Sequence, residues 1–294
     1  MTDPGIEAIR ALLASRPRPT ELAERRRRLD ALGAQYPLPA DVRIESVTAN
    51  GIQAEWNSTP GAEASRAMLY LHGGGYVAGS LLSHRSMVAE TGRAAGLRCL
   101  ALDYRLAPEH PFPAAVEDAV AGYRYLLDQG FAPSRIAIGG DSAGGGLTAA
   151  TLVALRDQGL PIPACAWLIS PWVDLESTGE SMASKAASDP MVQKPYLLEI
   201  ADLYLGGIKP RTPLASPLHA ALHGLPPLLI QVGAAETLLD DAVMFARRAG
   251  AEDVAVTLEI WPEMIHVWHL FHPQVAAGRK ALAAAGDFVR RHFR

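Results

Sequence analysis

The chain has 294 residues, of which 49% are hydrophobic, and its formal net charge is −4 at pH 7. This length suits one large domain or two small ones, and the near balance of charge gives no case for a nucleic-acid partner. No apolar run approaches the ~18 residues that span a bilayer, and MTDPGIEAIR lacks the basic and apolar regions of a signal peptide. Cys99 and Cys165 fall in apolar, strand-like runs, and buried free thiols suit a reducing compartment. We therefore expect a cytoplasmic protein without a membrane span.

The predicted elements begin with a helical segment over residues 1–40, which prolines interrupt. Its run RRRR, at 25–28, has leucine neighbours at helical spacing, and we interpret it as a solvated helix face. Two strands joined at Asn50-Gly51 follow, because that dipeptide is a strong hairpin signal. Six more runs have the apolar character of buried strands: RAMLYL, LRCLAL, RIAIG, ACAWLI, PLLIQV and VAVTLEI.

Helical stretches separate the later strands, at about 84–95, 114–129, 144–158 and 239–249, and a last helix covers about 274–293. Strands that alternate with helices predict an α/β fold, with a mainly parallel eight-stranded sheet covered on both faces. Residues 41–294 would form this main domain. The stretch at about 176–215 is too long for an ordinary crossover. We expect it to form, with residues 1–40, a helical cap over the carboxyl edge of the sheet.

The stretch GGDSAGGG, residues 139–146, places one serine between a predicted strand and a predicted helix. Residues 140–144 match G-x-S-x-G, the nucleophile elbow, in which the serine hydroxyl stands exposed above the sheet. The glycines are needed because strand and helix approach closely at such a turn. Ser142 is therefore the candidate nucleophile.

A second glycine motif, HGGG at 72–75, ends an upstream strand and offers backbone N–H groups that no side chain obstructs. Such groups stabilise a developing oxyanion. We expect the oxyanion hole to comprise Gly74, Gly75 and Ala143, with Gly73 as a further donor. The two motifs at two strand ends together indicate nucleophilic acyl transfer more strongly than either alone.

Two nucleotide-site interpretations compete for these turns. Residues 140–145 fit the first half of a P-loop, but the lysine and hydroxyl residue that should follow are missing. The pattern Gly73-x-Gly75-x-x-Ala78 imitates a dinucleotide fingerprint, but Gly79 and Ser80 fall where the helix should already be running. We therefore expect no cofactor.

An activated serine needs a base and a carboxylate that orients it, in the chain order serine, acid, histidine. His266 comes soon after the last predicted strand and is the candidate base. His269 and His272 follow at spacings of three, a pattern that would fit metal ligands. However, no HExxH motif or cysteine partner accompanies them. We take both as ordinary residues and expect no metal.

The acid should follow the strand PLLIQV. Glu236, in the loop GAAE directly after it, is our choice. Asp240 and Asp241 fall at the start of the next helix, where acidic residues are expected as caps and dipole partners. Asp240 stays the alternative. Tyr76, Trp172, Tyr196 and Tyr204 are candidate substrate-binding walls by position. An apolar cap suggests hydrophobic substrate groups. No basic cluster lies near the motifs, so the sequence gives no reason to expect a phosphate or carboxylate group on the substrate.

Five stretches together carry a family resemblance: HGGGYVAGS, DYRLAPEHPFPAAVEDA, GGDSAGGG, SPWVDL and MIHVW. From about residue 66 onward the chain resembles the bacterial hormone-sensitive-lipase-like carboxylesterases (family IV esterases) of the α/β-hydrolase fold. It is less strongly similar to monoterpene ε-lactone hydrolases. The resemblance implies a serine esterase that hydrolyses short-to-medium-chain carboxylic esters or lactones without a cofactor.

The resemblance also implies site residues: Ser142, His266 and oxyanion glycines within 73–75, with His72 orienting their loop. Many relatives carry aspartate where this chain has Glu236. Such proteins are often dimers through the edge of the sheet, so a homodimer is one expected assembly.

Two other functions stay open. An amidase could use the same triad, because the chemistry differs mainly in protonation of the leaving group. The fold also hosts small-ligand-binding proteins that resemble these esterases but have lost the catalytic histidine. The presence of His266 in the expected loop argues against the second.

Overall fold

A computed structural model describes residues 3–16 and 18–293. Its eight strands form one sheet in the order β1-β2-β4-β3-β5-β6-β7-β8. The strand bounds are β1 Arg43–Ala49, β2 Ile52–Ser58, β3 Glu63–Leu71, β4 Leu97–Leu102, β5 Ile136–Asp141, β6 Cys165–Ile169, β7 Leu228–Gly233 and β8 Val256–Trp261. β1 pairs antiparallel with β2, β2 pairs antiparallel with β4, and all other pairs are parallel. The predicted α/β architecture is confirmed.

The helices within the described residues are α1 Pro4–Ala14, α2 Leu22–Ala34, α3 Leu81–Ala95, α4 Ala114–Asp128, α5 Ala143–Asp157, α6 Ser181–Ser184, α7 Lys194–Leu205, α8 Leu239–Ala251 and α9 Ala276–His292. α3 begins three residues before the predicted start because Ser80 caps it. The Ser80 hydroxyl accepts from Leu82 N at 3.1 Å, and Ser83 Oγ accepts from Ser80 N at 2.8 Å. This reciprocal arrangement is a capping box.

The sheet separates two layers of buried apolar side chains. Successive β3 residues point to opposite faces, so Leu69 joins the layer that contains α4, α5 and α8, whereas Met68 joins the layer that contains α3 and α9. Cys99 and Cys165 are both buried and free in the second layer. Burial raises the pKa of the Cys165 thiol to about 12, so this thiol is not a reactive group.

The segments at 3–16, 18–34 and 176–215 contribute no strand to the sheet. α1 is anchored by two buried isoleucines, Ile6 and Ile9, and by Asp3, whose Oδ2 accepts from Ala277 N at 2.9 Å. α2 contains no fully buried residue; it is held by the half-buried Leu22, Leu29 and Leu32, which pack against the core, and by polar contacts such as Ser80 Oγ donating to Asp30 at 2.6 Å. Among the described residues no helix is long and apolar enough to cross a membrane.

Candidate active site

Ser142 is the single residue between the end of β5 and the start of α5. Its backbone has φ 54° and ψ −120°, a region that non-glycine residues rarely adopt. The neighbouring strand holds this conformation: Ser142 N donates to Ile169 O at 2.8 Å, and Ser142 O accepts from Trp172 N at 3.0 Å. β5 runs two residues beyond its predicted end at Gly139, which brings the strand directly to the nucleophile.

The glycines beside Ser142 are required by close backbone approach. A Cβ atom added to Gly144 would collide with the carbonyl oxygens of Leu71 and His72. One added to Gly140 would collide with Leu71 O and with Gly144 O. The reason inferred from the sequence for these glycines is therefore confirmed, and the start of α5 lies against the end of β3.

The three predicted oxyanion donors are the backbone N–H groups of Gly74, Gly75 and Ala143. Gly74 and Gly75 have φ of 125° and 67°, values that favour glycine, and both line a cavity with Ser142. Ala143 opens α5, where the first N–H groups have no partner within the helix.

Gly73, expected as a further donor, is engaged elsewhere. Its N–H donates to Asp141 Oδ1 at 3.1 Å, and its carbonyl oxygen accepts from His72 Nδ1 at 2.8 Å. Gly73 is also not among the residues that line the cavity. The expectation that it donates to the oxyanion is wrong, because the loop uses its peptide groups to hold itself in place.

His72 is fixed as a neutral ring beneath this loop. It stacks on Tyr104 with ring centroids 4.3 Å apart and on His84 at 5.6 Å. Burial, and secondarily the neighbouring His84, lowers the pKa of His72 to about 4. A neutral imidazole that donates from Nδ1 to Gly73 O agrees with the orienting role that the family resemblance implies.

Asp141 is a residue of the site that the sequence reasoning did not single out. Besides Gly73 N, its carboxylate accepts from Tyr70 Oη at 2.9 Å, and His84 Nε2 lies 3.2 Å from Oδ2. Burial acts to raise the pKa of this carboxyl, but the interactions with His84 and Tyr70 outweigh it, so the net shift is downward. Its only sequence signal was its place beside Ser142.

Glu236 and His266 form a buried pair. His266 Nδ1 lies 2.6 Å from Glu236 Oε2. The other carboxylate oxygen, Oε1, accepts from Ser170 Oγ at 2.8 Å and from Gly233 N at 2.5 Å. Glu236 thus folds back onto the end of β7, and this route accommodates the extra methylene relative to aspartate. Ser170 also accepts from Val267 N at 3.2 Å, which ties the histidine loop to the acid.

The pKa of His266 reflects two opposed effects. Burial lowers it, but the hydrogen bond and the charge of Glu236 raise it by more, so the net pKa lies above 6.5. The pair therefore stabilises the imidazolium that forms when the histidine accepts a proton.

The alternative acids are engaged elsewhere. Asp240 Oδ2 accepts from Ser181 N at 2.8 Å, at the start of α6. Asp241 Oδ2 accepts from Val173 N at 2.9 Å and from Asp174 N at 3.0 Å. Both aspartates therefore hold the segment that follows β6, and neither contacts His266.

His269 and His272, the next two histidines after His266, have partners outside the candidate triad. His269 Nε2 lies 2.9 Å from Gln231 Oε1, and burial lowers the pKa of His269 to about 3. His272 Nε2 lies 3.3 Å from Ser86 Oγ, and burial lowers its pKa to about 4. The three histidines share no common centre where they could hold a metal.

Ser142 and His266 meet at a cavity of about 630 Å³, a size that suits a small organic ligand. Of the four predicted wall residues, Trp172 and Tyr196 line it. Tyr76 and Tyr204 do not: they stack on each other with ring centroids 3.8 Å apart, in the buried core. Their position in the sequence next to cavity residues did not reveal this pairing.

A further part of the cavity wall comes from the two helical segments that contribute no strand to the sheet. α7 and the residues before it contribute apolar side chains, among them Met191, Leu197 and Ile200. The N-terminal segment contributes leucines and four arginines: Arg16, Arg18, Arg25 and Arg28. The expectation that no basic cluster lies near the catalytic motifs is therefore wrong.

Comparison with known proteins agrees with this geometry. A family described as having the alpha/beta hydrolase fold matches residues 68–270. An acetyl-hydrolase of Streptomyces hygroscopicus is 48% identical over 296 residues, which cover 99% of this chain and 97% of the relative. A solved esterase of the bacterial hormone-sensitive lipase family superposes with a TM-score of 0.97 at 50% identity, with complete coverage of both chains. EstE5, solved after soaking with p-nitrophenyl butyrate, superposes with a TM-score of 0.96 at 49% identity and covers 99% of each chain.

Proposed function

Because the chain belongs to the α/β-hydrolase fold family and is similar throughout to bacterial esterases, we propose that it hydrolyses short-to-medium-chain carboxylic esters or lactones by an acyl-enzyme mechanism. Ser142 is the nucleophile, His266 the base and Glu236 the orienting acid. The observation that carries this assignment is the 2.6 Å contact between Glu236 and His266, at a cavity that Ser142 also lines.

The proposed reaction proceeds in two halves. Ser142 Oγ attacks the ester carbonyl while its proton passes to His266 Nε2. The N–H groups of Gly74, Gly75 and Ala143 stabilise the oxyanion. The carbon–oxygen bond to the alcohol then breaks, and His266 returns the proton to the leaving alcohol. Water next attacks the acyl-enzyme with His266 again as base, which releases the acid and regenerates Ser142.

Glu236 sets the tautomer of the base. As long as its carboxylate accepts from Nδ1–H, the lone pair of His266 lies on Nε2, the nitrogen that must accept the serine proton. Ser170 and Gly233 hold the carboxylate from the other side, so it cannot turn away from the ring.

The test is hydrolysis of p-nitrophenyl esters with two to twelve acyl carbons, by the wild type and Ser142→Ala side by side. We expect activity to peak at short or medium chains and to fall by on the order of 10⁶ in kcat in the variant, as in other triads. Retention of most ester hydrolysis by folded Ser142→Ala would refute the assignment of the nucleophile. Faster cleavage of matched anilides than of esters would instead favour an amidase.

The segments at 1–40 and 176–215 are proposed to act as a cap, which is supported by their contribution to the cavity wall. The two buried free thiols support the expected cytoplasmic location. A homodimer through the sheet edge would use β1 or β8, the terminal strands of the sheet. Light scattering at micromolar concentration tests it, and a monomer mass there would rule it out.

A further inference from the structure

Among the residues that the structure describes, four arginines but only one carboxylate line the cavity that holds Ser142. That carboxylate, Asp141, is buried, and its oxygens contact Tyr70, Gly73 and His84. All four arginines belong to the N-terminal segment, whereas the catalytic residues belong to the loops at the ends of the strands. The excess of positive charge favours negatively charged ligands in this cavity.

Two of these arginines already have carboxylate partners. Arg25 Nη1 lies 2.8 Å from Glu199 Oε1, and its side chain is only 10% exposed. Arg28 Nε lies 3.0 Å from Glu24 Oε1. Both contacts keep the α2 arginines in position, and they reduce the net positive charge of that part of the wall.

Arg18 has an aromatic ring, that of Tyr196, as its neighbour rather than a carboxylate; Arg25 also approaches this ring, with its Cζ 5.1 Å from the centroid. The Cζ of Arg18 lies 3.5 Å from the centroid of Tyr196. Within the described part of the chain, no carboxylate oxygen lies within 4.0 Å of it. Stacking satisfies the face of a guanidinium but leaves its edge N–H groups free to donate.

The two carboxylates whose charges act on Arg18 already have other hydrogen-bond partners. Glu199 is engaged with Arg25. Asp189 is buried, and its oxygens accept from Met191 N at 2.8 Å, Val192 N at 2.9 Å and Thr237 N at 2.8 Å.

Tyr196 connects this cation to the reacting centre. Its hydroxyl lies 3.8 Å from the position of a Cβ built on Gly75, one of the oxyanion glycines. One tyrosine side chain therefore separates the Arg18 guanidinium from the oxyanion loop. A substrate whose carbonyl sits at Gly75 can place a terminal group near Arg18 along the apolar wall.

We propose that the cavity binds esters that carry an anionic group, in particular a carboxylate, which Arg18 holds with Arg16 as the second cation. This inference rests on the proposed esterase function and names the substrate class of the same site. A carboxylate can accept two parallel N–H bonds from the guanidinium edge, so the contact selects position as well as charge. Neutral esters of the same shape lack this contact.

The experiment compares monoethyl with diethyl adipate, and monoethyl with diethyl suberate, with acid release followed at 50 mM salt. A second pair, 4-acetoxybenzoate and its methyl ester, carries the anion on the alcohol side. Each is assayed with wild type, Arg18→Gln, Arg16→Gln and the control Arg27→Gln. Arg27 belongs to the same arginine run but is 70% exposed, pairs with Glu24 and does not line the cavity.

We expect the ratio of kcat/KM for the anionic ester over its neutral partner to fall about tenfold in Arg18→Gln, the effect of losing one charge-assisted hydrogen bond. A smaller fall is expected in Arg16→Gln and none in Arg27→Gln. The adipate or suberate pair should respond if the anion lies on the acyl side, and the benzoate pair if it lies on the alcohol side. Raising the salt concentration should lower the wild-type ratio.

The inference is overturned if wild type cleaves the neutral esters faster in every pair and Arg18→Gln leaves the ratios unchanged. It is also overturned if Arg27→Gln lowers the ratios as much as Arg18→Gln, because net charge alone would then explain the preference. Absence of hydrolysis of all six esters by folded wild-type protein would count against the proposed function itself, which the p-nitrophenyl series tests separately.

Discussion

Replacing Glu236 by glutamine tests how the buried acid acts, because the shape of the side chain is kept and only its charge and one acceptor are lost. Glu236 uses both oxygens: Oε2 contacts His266, and Oε1 accepts from Ser170 and Gly233. A glutamine can match only one side. If its oxygen stays with Gly233 N–H, its NH₂ group faces His266 Nδ1. The ring must then accept at Nδ1 and carry its proton on Nε2, where it cannot take the proton of Ser142.

The opposite orientation of the amide is also unfavourable. It would restore an acceptor for His266 but would point an NH₂ group at Gly233 N–H in a site where Glu236 is fully buried. An unsatisfied buried donor costs about 1–3 kcal/mol. The corresponding acid-to-amide change in another serine hydrolase triad lowers kcat about 10⁴-fold, which corresponds to ~5.4 kcal/mol of transition-state stabilisation. We expect a loss of this order.

The assay is kcat/KM for p-nitrophenyl butyrate, with Asp240→Asn as the matched control. Asp240 contacts Ser181 rather than His266, so its variant should lose less than about tenfold, in keeping with a role in packing α6. An equal or larger loss in Asp240→Asn, with both proteins folded, would refute the assignment of Glu236. Glu236→Asp should give an intermediate rate, because it keeps the charge but shortens the reach to the ring.

The remaining predictions concern pH and packing. The pKa of His266 is raised above 6.5, and only the neutral ring accepts a proton. We therefore expect kcat/KM to increase as pH rises through that pKa, with the midpoint of the increase above pH 6.5. In Glu236→Gln the interaction that raises the pKa of His266 is lost, while burial still lowers this pKa. The pH at which the residual kcat/KM rises should therefore be lower than in the wild type. A midpoint that moves upward would contradict this account. Gly144→Ala should lower the free energy of unfolding by about 1–3 kcal/mol, because the new methyl meets two backbone carbonyls. Gly250→Ala in α8, where an added Cβ meets nothing within 4 Å, should be neutral or stabilising by up to ~1 kcal/mol. Equal changes in melting temperature in the two variants would contradict the view that close backbone contacts at the elbow require glycine at position 144.

Local sequence signals were sufficient for the parts of the site that depend on local geometry. A strand, a glycine turn and a helix predict where Ser142 stands, and the loops after the last two strands contain Glu236 and His266. These inferences need only the parallel sheet, because its strands deliver their carboxyl ends to one edge. The choice between Glu236 and Asp240 was uncertain from the sequence, since it depends on Ser170 and Gly233 as partners of the carboxylate.

Features that depend on contacts between distant segments could not be predicted. Gly73 looked like an oxyanion donor because it shares the HGGG motif, but Asp141, 68 residues away in the sequence, takes its N–H. The arginine run was interpreted as one solvated face, yet consecutive helix residues point in directions about 100° apart. Arg25 and Arg28 therefore line the cavity while Arg26 reaches Val77 O at 2.8 Å, and Arg27, whose side chain is 70% exposed, faces solvent.

The two sides of the cavity differ in how deeply their elements are buried. The catalytic side is fixed by β5, β6 and β7, whose residues are nearly all buried, whereas α2 has no fully buried residue. Elements with few buried contacts open locally at a lower free energy than the sheet. Displacement of α2 can therefore admit a substrate or release a product while the hydrogen bonds around Ser142 and Glu236 stay intact. The same division lets mutations in the first 35 residues alter which molecules enter without disturbing the reaction they undergo.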